Sequence, residues 1–236
     1  MGTGLPFIYR RRRAIEGDIM RIGVFCYDFS HKKSRDGLFN MFLEDYTPEV
    51  VFAAPWRKLN VGQSKIKLET SGIEYAHPRT ICKRFDINYH VVVHNSVECR
   101  RLIESYDLDL GVILGARILD KHIINAFKIG VLNLHPGILP GNRGLDTVKW
   151  AVIEKLPQGA TAHLINGKID MGRKIVAKKV LVRADDTLPD ILCRVQAAEQ
   201  AILAQALWII KNGSRGTPLG EGKYHKVMPP EIEAKL

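Results

Sequence analysis

Cysteine is scarce in this chain, and its spacing excludes small disulfide-stabilised scaffolds. The 236 residues include only Cys26, Cys82, Cys99 and Cys193, and no two of these form a C-x-x-C pair. A chain of this length can bury a proper hydrophobic core without disulfide bonds. The cysteine content therefore favours a reducing compartment, and we expect a cytoplasmic protein.

Long apolar runs and glycine-rich nucleotide motifs are also missing. No run approaches the roughly 20 apolar residues of a membrane-spanning helix, so we expect no membrane partner. No G-x-G-x-x-G occurs, which argues against a dinucleotide-binding fold.

Positive charge is plentiful. The formal net charge is +10, of which residues 1–20 contribute +2 through the four arginines at 10–13 and two acids, so the remainder carries +8. Such an excess suits an anionic substrate, and it also fits nucleic acid. Outside residues 10–13 the basic residues are scattered and not gathered with aromatic side chains. Nucleic-acid binding is therefore the less favoured alternative.

The composition divides the chain into three segments. Residues 1–19 precede the first strand pattern, and we interpret them as an upstream tag or a disordered arm. Residues 20–213 are expected to form one catalytic domain. Residues 214–236 are rich in glycine, proline and polar residues, and are expected to form a C-terminal tail.

Short apolar runs alternate with helical patterns along residues 20–213. Strands are predicted at 21–27, 50–53, 110–114, 130–135, 160–165 and 174–182, with weaker patterns near 65–68, 73–76 and 89–93. Helices are predicted at 36–46, from a capping Asn95 to 106, from Asp120 to 127, at 145–155, and from a Thr187 capping box to 211. This alternation predicts an α/β fold with a mainly parallel twisted sheet flanked by helices. Ligands are expected at the carboxyl ends of its strands.

Asn133 and His135 stand two residues apart where a predicted strand meets the loop PGILPGNRG. Because side chains in a strand repeat every two residues, both should face the same side. An amide can donate to a developing oxyanion, and an imidazole can exchange a proton near neutral pH. The pair suits attack by an amine on an acyl carbon, although the spacing alone is more often that of a hydrogen-bonded strand end.

A carboxylate can join this pair. Asp170 lies in a loop beside Gly172, whose freedom of backbone lets the carboxylate turn inward. Next to an imidazole it would orient the ring and stabilise the protonated form. The alternative is an ordinary turn residue. His163 could be a further ligand group, but a buried core histidine is favoured.

These residues belong to an ordered set of motifs. NLHPGILPGNRG, Trp150, GATAHLI, IDMGRKI and RVQAAEQAIL resemble, in this order, the motifs of formyltransferases that use 10-formyltetrahydrofolate. The resemblance covers about residues 88–213 and implies a Rossmann-like formyltransferase fold and formyl transfer to a primary amine. It assigns the catalytic roles to Asn133, His135 and Asp170. His135 and Asp170 would manage the amine proton, Asn133 with His135 would stabilise the oxyanion, and no metal is implied.

The resemblance also implies a site for the formyl donor, 10-formyltetrahydrofolate. The residues expected there are Leu114, Arg117, Ile118, Ile138, Leu139 and Pro140. Two features depart from the family pattern: Gly137 replaces a usual serine or alanine, and Asn166 and Lys168 stand in a loop that is usually acidic.

Weaker features favour one class of acceptor amine. No glycine-rich phosphate loop follows the first strand, unlike in glycinamide ribonucleotide transformylases, and the 23 residues after Gly213 are too few for the C-terminal barrel of methionyl-tRNA formyltransferases. The sequence Asn142-Arg143-Gly144 followed by Trp150 resembles that of sugar N-formyltransferases. We therefore expect the acceptor to be a nucleotide-linked amino sugar. Its expected contacts are Asn142, Arg143, Gly144, Trp150, Lys32 and Lys33, the two lysines meeting the diphosphate. Glycinamide ribonucleotide and methionyl-tRNA stay open as acceptors, and nucleic-acid binding stays open as a different function. A homodimeric assembly stays open as well. The intact Asn133, His135 and Asp170 argue against a catalytically inactive relative.

Overall fold

A computed structural model of the protein describes residues 20–58, Ile66 and residues 74–236. The arm assigned to residues 1–19 lies outside these residues, as does the strand pattern at 65–68 apart from Ile66. Of the strand pattern at 73–76, residues 74–76 are described and form a loop.

One large sheet forms the centre of the described domain. Its strands are β1 (Ile22–Tyr27), β2 (Val50–Ala54), β3 (Asn88–Val91), β4 (Leu110–Ile113), β5 (Gly130–His135), β7 (Gly159–Leu164), β8 (Arg173–Lys179) and β9 (Thr217–Pro218), while β6 (Arg143–Gly144) and β10 (Tyr224–His225) form a separate pair. The first five strands are parallel in the order β3-β2-β1-β4-β5, and β7, β8 and β9 continue the sheet antiparallel. The predicted α/β fold with a mainly parallel sheet is confirmed.

The described helices are α1 (Lys32–Leu43), α2 (Pro78–Arg84), α3 (Val97–Ser105), α4 (Lys121–Ile124), α5 (Thr147–Ile153), α6 (Leu188–Lys211) and α7 (Pro230–Glu233). The capping box of α6 is confirmed, because the Thr187 hydroxyl accepts from the Asp190 N–H while the Asp190 carboxylate accepts from the Thr187 N–H. The predicted cap of α3 is wrong by one residue, since Ser96 accepts from the Cys99 N–H. Helix α1 begins four residues before the predicted start, and α2 was not predicted.

Asn95 has a different role from helix capping. Its amide donates to the Ile118 carbonyl, and its side-chain oxygen accepts from the Asp120 N–H. These two bonds tie the start of α3 to the loop that follows β4. Asn95 therefore fixes the backbone near residues 118–120, close to the residues expected to contact the formyl donor.

Helices cover both faces of the sheet. Alternate side chains of β1 enter different cores: Val24 packs with residues of α1 and α6, and Phe25 packs with residues of α3 and α4. Because helices cover both faces, the parallel strands are left accessible at their carboxyl ends. Among the described residues, no helix is long and apolar enough to cross a lipid bilayer.

The segment predicted to be a C-terminal tail folds back onto the domain. Its strand β9 extends the large sheet, and β10 pairs in parallel with β6, next to the end of β5. In α7, Glu233 forms a buried ion pair with Lys149 of α5. The boundary at residue 213 thus separates two stretches of chain that pack together.

Candidate active site

Asn133, His135 and Asp170 meet at the carboxyl end of β5. The His135 Nδ1 atom lies 3.3 Å from Asp170 Oδ1, and Asp170 Oδ2 accepts a 2.7 Å hydrogen bond from the Gly144 N–H. Asp170 adopts φ +48°, and Gly172 adopts φ +110° with Leu164 O so close that a Cβ would lie 2.1 Å from it. Only glycine allows this loop to close on β7 and turn the carboxylate inward.

The Asp170 carboxylate is ionised at neutral pH. Burial by itself raises the pKa of a carboxyl group. Here the hydrogen bond and charge of His135, with the Gly144 N–H, outweigh that effect and hold the pKa of Asp170 below its ordinary value. Asp170 is therefore a fixed negative charge beside the imidazole.

Both ring nitrogens of His135 face oxygen atoms of the protein. Its Nε2 atom lies 2.8 Å from the Asn142 carbonyl oxygen. Because a carbonyl only accepts, Nε2 is the donor in this contact. Nδ1 faces Asp170 Oδ1, so the imidazole and the carboxylate form one pair.

His163 fixes the orientation of Asn133. Asn133 Nδ2 lies 3.2 Å from His163 Nε2, and His163 Nδ1 donates to the Met171 carbonyl at 3.1 Å. Burial, with a smaller effect of the charge of His135, lowers the pKa of His163 to about 4, so the ring is neutral at pH 7 and Nε2 accepts from Asn133. His163 is buried as favoured from the sequence, but it also holds a site residue. The register that pairs Asn133 with His163 arises from the antiparallel pairing of β5 and β7.

A cavity of about 320 Å³ opens beside Asn133 and Asp170. It is lined by the backbone after β4, by residues 165–170 and by Gly144, Leu145 and Tyr224. Of the residues expected at the donor, Arg117 and Ile118 are among the lining residues.

The other four residues expected at the donor do not line this cavity. Leu114 is fully buried, and its carbonyl accepts from the Ser34 hydroxyl. Leu139 is buried too, and its N–H donates to the Thr161 hydroxyl. Ile138 and Pro140, on either side of Leu139, lie outside the lining as well. The loop 138–140 is packed against β7 and lies outside the lining of this cavity, so its expected contact with the donor stays a prediction.

Asn142, Arg143 and Gly144 hold the loops of the site together. Asn142 donates to the Thr147 carbonyl, and the Arg143 guanidinium donates to the carbonyls of Ile169 and Gly222. Gly144 has φ +98°, and a Cβ there would lie 2.0 Å from the His225 carbonyl oxygen. Of these three expected substrate contacts, Gly144 alone lines the cavity. The side chains of Asn142 and Arg143 instead donate hydrogen bonds to backbone carbonyls.

The remaining expected acceptor contacts have partners elsewhere. Trp150 donates from Nε1 to the Lys226 carbonyl at 2.9 Å and stacks on His225. Lys32 pairs with Asp36 at 2.6 Å.

Lys33 lies behind the site. Its ammonium donates to the Leu134 carbonyl at 2.5 Å and to Glu199 at 2.8 Å. Its charge is thus already balanced by a carboxylate, which argues against the predicted contact with a diphosphate. Leu134 lies between Asn133 and His135 on β5, so Lys33 instead supports the backbone that carries these two residues.

No group of three or more histidine, cysteine, aspartate or glutamate side chains in the part of the chain that the structure describes is arranged to hold a metal ion.

Comparisons with known proteins identify a family. The formyl transferase family model matches residues 49–207. The methionyl-tRNA formyltransferase of Chlorobium limicola is 25% identical over 162 residues, covering 68% of this chain and 48% of that relative. The phosphoribosylglycinamide formyltransferase of Escherichia coli is 35% identical over 102 residues, covering 42% of this chain and 48% of that relative.

A solved structure is similar as well. The formyltransferase PseJ of Anoxybacillus kamchatkensis, in complex with UDP-4,6-dideoxy-4-formamido-L-AltNAc and tetrahydrofolate, superposes with a TM-score of 0.52 and 26% identity. The match covers 63% of this chain and 79% of that structure. The chain spans about a third to a half of the length of the first curated relatives that it matches.

Proposed function

Because the chain belongs to the formyl transferase family, we propose that it transfers a formyl group from 10-formyltetrahydrofolate to a primary amine. One observation carries the proposal: an amide and an imidazole at the end of β5 meet an ionised carboxylate from the loop before β8, and the amide and the carboxylate line one cavity. Formyl transfer needs a group that takes a proton from the amine and a group that stabilises negative charge on the formyl oxygen.

The cavity suits the formyl donor. Its volume of about 320 Å³ lies at the lower end of the range of roughly 300–1,000 Å³ that is typical of small-molecule sites. Apolar side chains such as Ile113 and Ile118 suit a flat ring system, and Arg117 and Lys168 provide positive charge for carboxylates. When bound, 10-formyltetrahydrofolate supplies an electrophilic formyl carbon.

His135 and Asp170 manage the proton. The His135–Asp170 pair takes the proton from the attacking amine, because Nε2 of His135 is committed to the Asn142 carbonyl and Nδ1 faces Asp170 Oδ1. The carboxylate of Asp170, 3.3 Å away, stabilises the resulting imidazolium and orients the ring. General-base catalysis of this kind contributes about 10²- to 10⁴-fold to a rate.

Asn133 stabilises the oxyanion. Of the two hydrogens on Nδ2, one is donated to the neutral His163. The other has no partner among the residues that the structure describes, and it can donate to the formyl oxygen as that atom gains charge. Loss of a single oxyanion donor typically costs about 10²- to 10³-fold in kcat.

The acceptor that we favour is an amino sugar linked to a nucleotide. The similarity to PseJ, solved with a UDP-linked formamido sugar, supports this choice, and a net charge of +10 suits a diphosphate. Lys32 and Lys33 no longer supply that contact. Glycinamide ribonucleotide is the second candidate, because the Escherichia coli relative is more similar over its matched stretch. The homodimer stays a prediction.

The proposal is tested in two steps. A thermal-shift screen should include 5-formyltetrahydrofolate together with dTDP-, UDP- and GDP-linked amino sugars and glycinamide ribonucleotide. We expect stabilisation by the folate and by one sugar nucleotide, and a shift with glycinamide ribonucleotide alone would replace our choice of acceptor.

Turnover with the selected acceptor then tests the catalytic roles. His135→Ala and Asp170→Ala should each lower formyl transfer at least about a hundredfold with little loss of folate binding. His122→Ala and Asp185→Ala, which alter the same residue types away from the cavity, are the matched controls. Turnover near that of the wild type in either site variant would remove the catalytic assignment.

A further inference from the structure

We propose that Tyr224, brought to the site by the C-terminal segment (residues 219–233), forms one wall of the donor cavity and packs against the ring system of the formyl donor. The inference rests on the proposed function. This segment lies beyond residues 49–207, the stretch that the family model matches.

The backbone of the C-terminal segment is fixed beside the site by hydrogen bonds. The Leu219 N–H donates to the Gly172 carbonyl, two residues from Asp170. Further on, the Arg143 N–H donates to the Lys223 carbonyl at 3.1 Å and the Leu145 N–H to the His225 carbonyl at 3.0 Å. These two bonds flank Tyr224 and set its position along β6.

The two residues of β10 face opposite sides, as strand geometry requires. His225 points away from the cavity, is buried, stacks on Trp150 and lies 3.1 Å from a carboxylate oxygen of Glu154. Tyr224 faces the cavity and is 43% exposed. The buried contacts of His225 therefore hold the tyrosine ring toward the space beside Asp170.

The rim of the cavity is apolar and open to solvent. Four of its lining residues are large hydrophobic side chains that stay exposed without a ligand: Ile118, Leu145, Ile169 and Tyr224. A cluster of exposed apolar side chains around a cleft is typical of a ligand-binding site. Of the described residues that line this cleft, Tyr224 alone is aromatic. It can stack on a flat heteroaromatic ring, as aromatic side chains do with nucleobases.

The donor fits this wall better than the acceptor does. Tyr224 shares the cavity with Arg117 and Lys168, whose positive charge suits the carboxylates of the folate. The acceptor is expected instead where the strand order reverses between β1 and β4, the usual ligand position in such sheets.

Calorimetric titration of the full chain with 5-formyltetrahydrofolate, which does not transfer its formyl group, tests the inference. Tyr224→Ala should raise the Kd at least about fivefold, the lower end of what loss of one aromatic stacking partner costs. Tyr224→Phe keeps the ring and should stay within about twofold of the wild type. Trp208→Ala removes an exposed aromatic residue of α6 away from the cavity and serves as the matched control.

Each outcome decides between the two proposals. If the wild type does not bind the folate, the proposed function fails. If the wild type binds and Tyr224→Ala binds equally well, only the role of Tyr224 fails. An increase in the KM of the acceptor with an unchanged Kd of the folate would also overturn the inference. Recovery of affinity in Tyr224→Phe would show that the effect of alanine comes from the lost ring and not from unfolding.

Discussion

Replacing Glu233 by glutamine should destabilise the protein strongly although the change is nearly isosteric. Lys149 and Glu233 are both almost fully buried, and their charged atoms lie 2.6 Å apart. Removing one partner of a buried ion pair takes away the nearest opposite charge of the other, and such a change costs about 3–5 kcal/mol. The Ile66 carbonyl still accepts from Lys149 at 3.1 Å, and Asp146 lies 4.0 Å away. We therefore expect the lower end, about 3 kcal/mol, a large share of the roughly 5–15 kcal/mol typical of a domain.

Urea unfolding at pH 7, followed by circular dichroism, measures this free energy. The double variant Lys149→Met/Glu233→Leu removes both charges, and it should recover most of the loss because a well-packed apolar pair often replaces a buried ion pair without cost. Asp107→Asn, which alters an exposed ion pair with Lys128, is the control and should change the free energy of unfolding far less than Glu233→Gln does. A loss below about 1 kcal/mol in Glu233→Gln, or a double variant less stable than the single one, would refute the reasoning.

Three further predictions concern the site itself. The pKa of His163 is about 4 in the folded chain and about 6.5 in the unfolded chain, so the unfolded chain binds an extra proton as the pH falls from about 6.5 to about 4. The folded state should therefore lose up to about 3 kcal/mol of stability over this range. His163→Gln should flatten the pH dependence of urea unfolding in the same range. Gly144→Ala should abolish formyl transfer and lower the Tm by several degrees, because its Cβ would collide with a backbone carbonyl, whereas Gly220→Ala, which has open space around its Cβ, should do neither. Lys33→Met should lower kcat and leave the folate Kd unchanged, and it should lower stability because Glu199 loses its ion-pair partner. Adding Glu199→Met should restore that stability without restoring kcat. An unchanged kcat in Lys33→Met would contradict the supporting role of Lys33.

The sequence was most informative where structure depends on neighbouring residues. The capping box at Thr187 predicted the start of α6, and the alternation of apolar and helical patterns predicted the layered sheet. The inward turn of Asp170 was predicted from Gly172 next to it, and the two residues do adopt left-handed backbone angles. In each example the signal and its consequence lie within a few residues.

Features that depend on distant pairing were missed. Lys33 was expected to contact a diphosphate, yet its partner Glu199 is far along the chain. The segment after residue 213 reads as a polar tail, since its two short strands have almost no pattern of their own and exist through pairing with β8 and β6. The family resemblance placed the loop at 138–140 at the donor, and the structure packs it against β7. No pattern of neighbouring residues predicts these long-range contacts.

The first turn of α1 has a practical consequence for protein engineering. Lys33 and the adjacent Ser34 donate to the carbonyls of Leu134 and Leu114, at the ends of the two strands next to the cavity. A saturation library restricted to the residues around the ligand would leave out this support from the opposite side of the sheet. A whole-chain screen selected on turnover should recover substitutions in α1 and α6 that never touch a substrate, and these positions offer a route to retune the rate without altering which molecules bind.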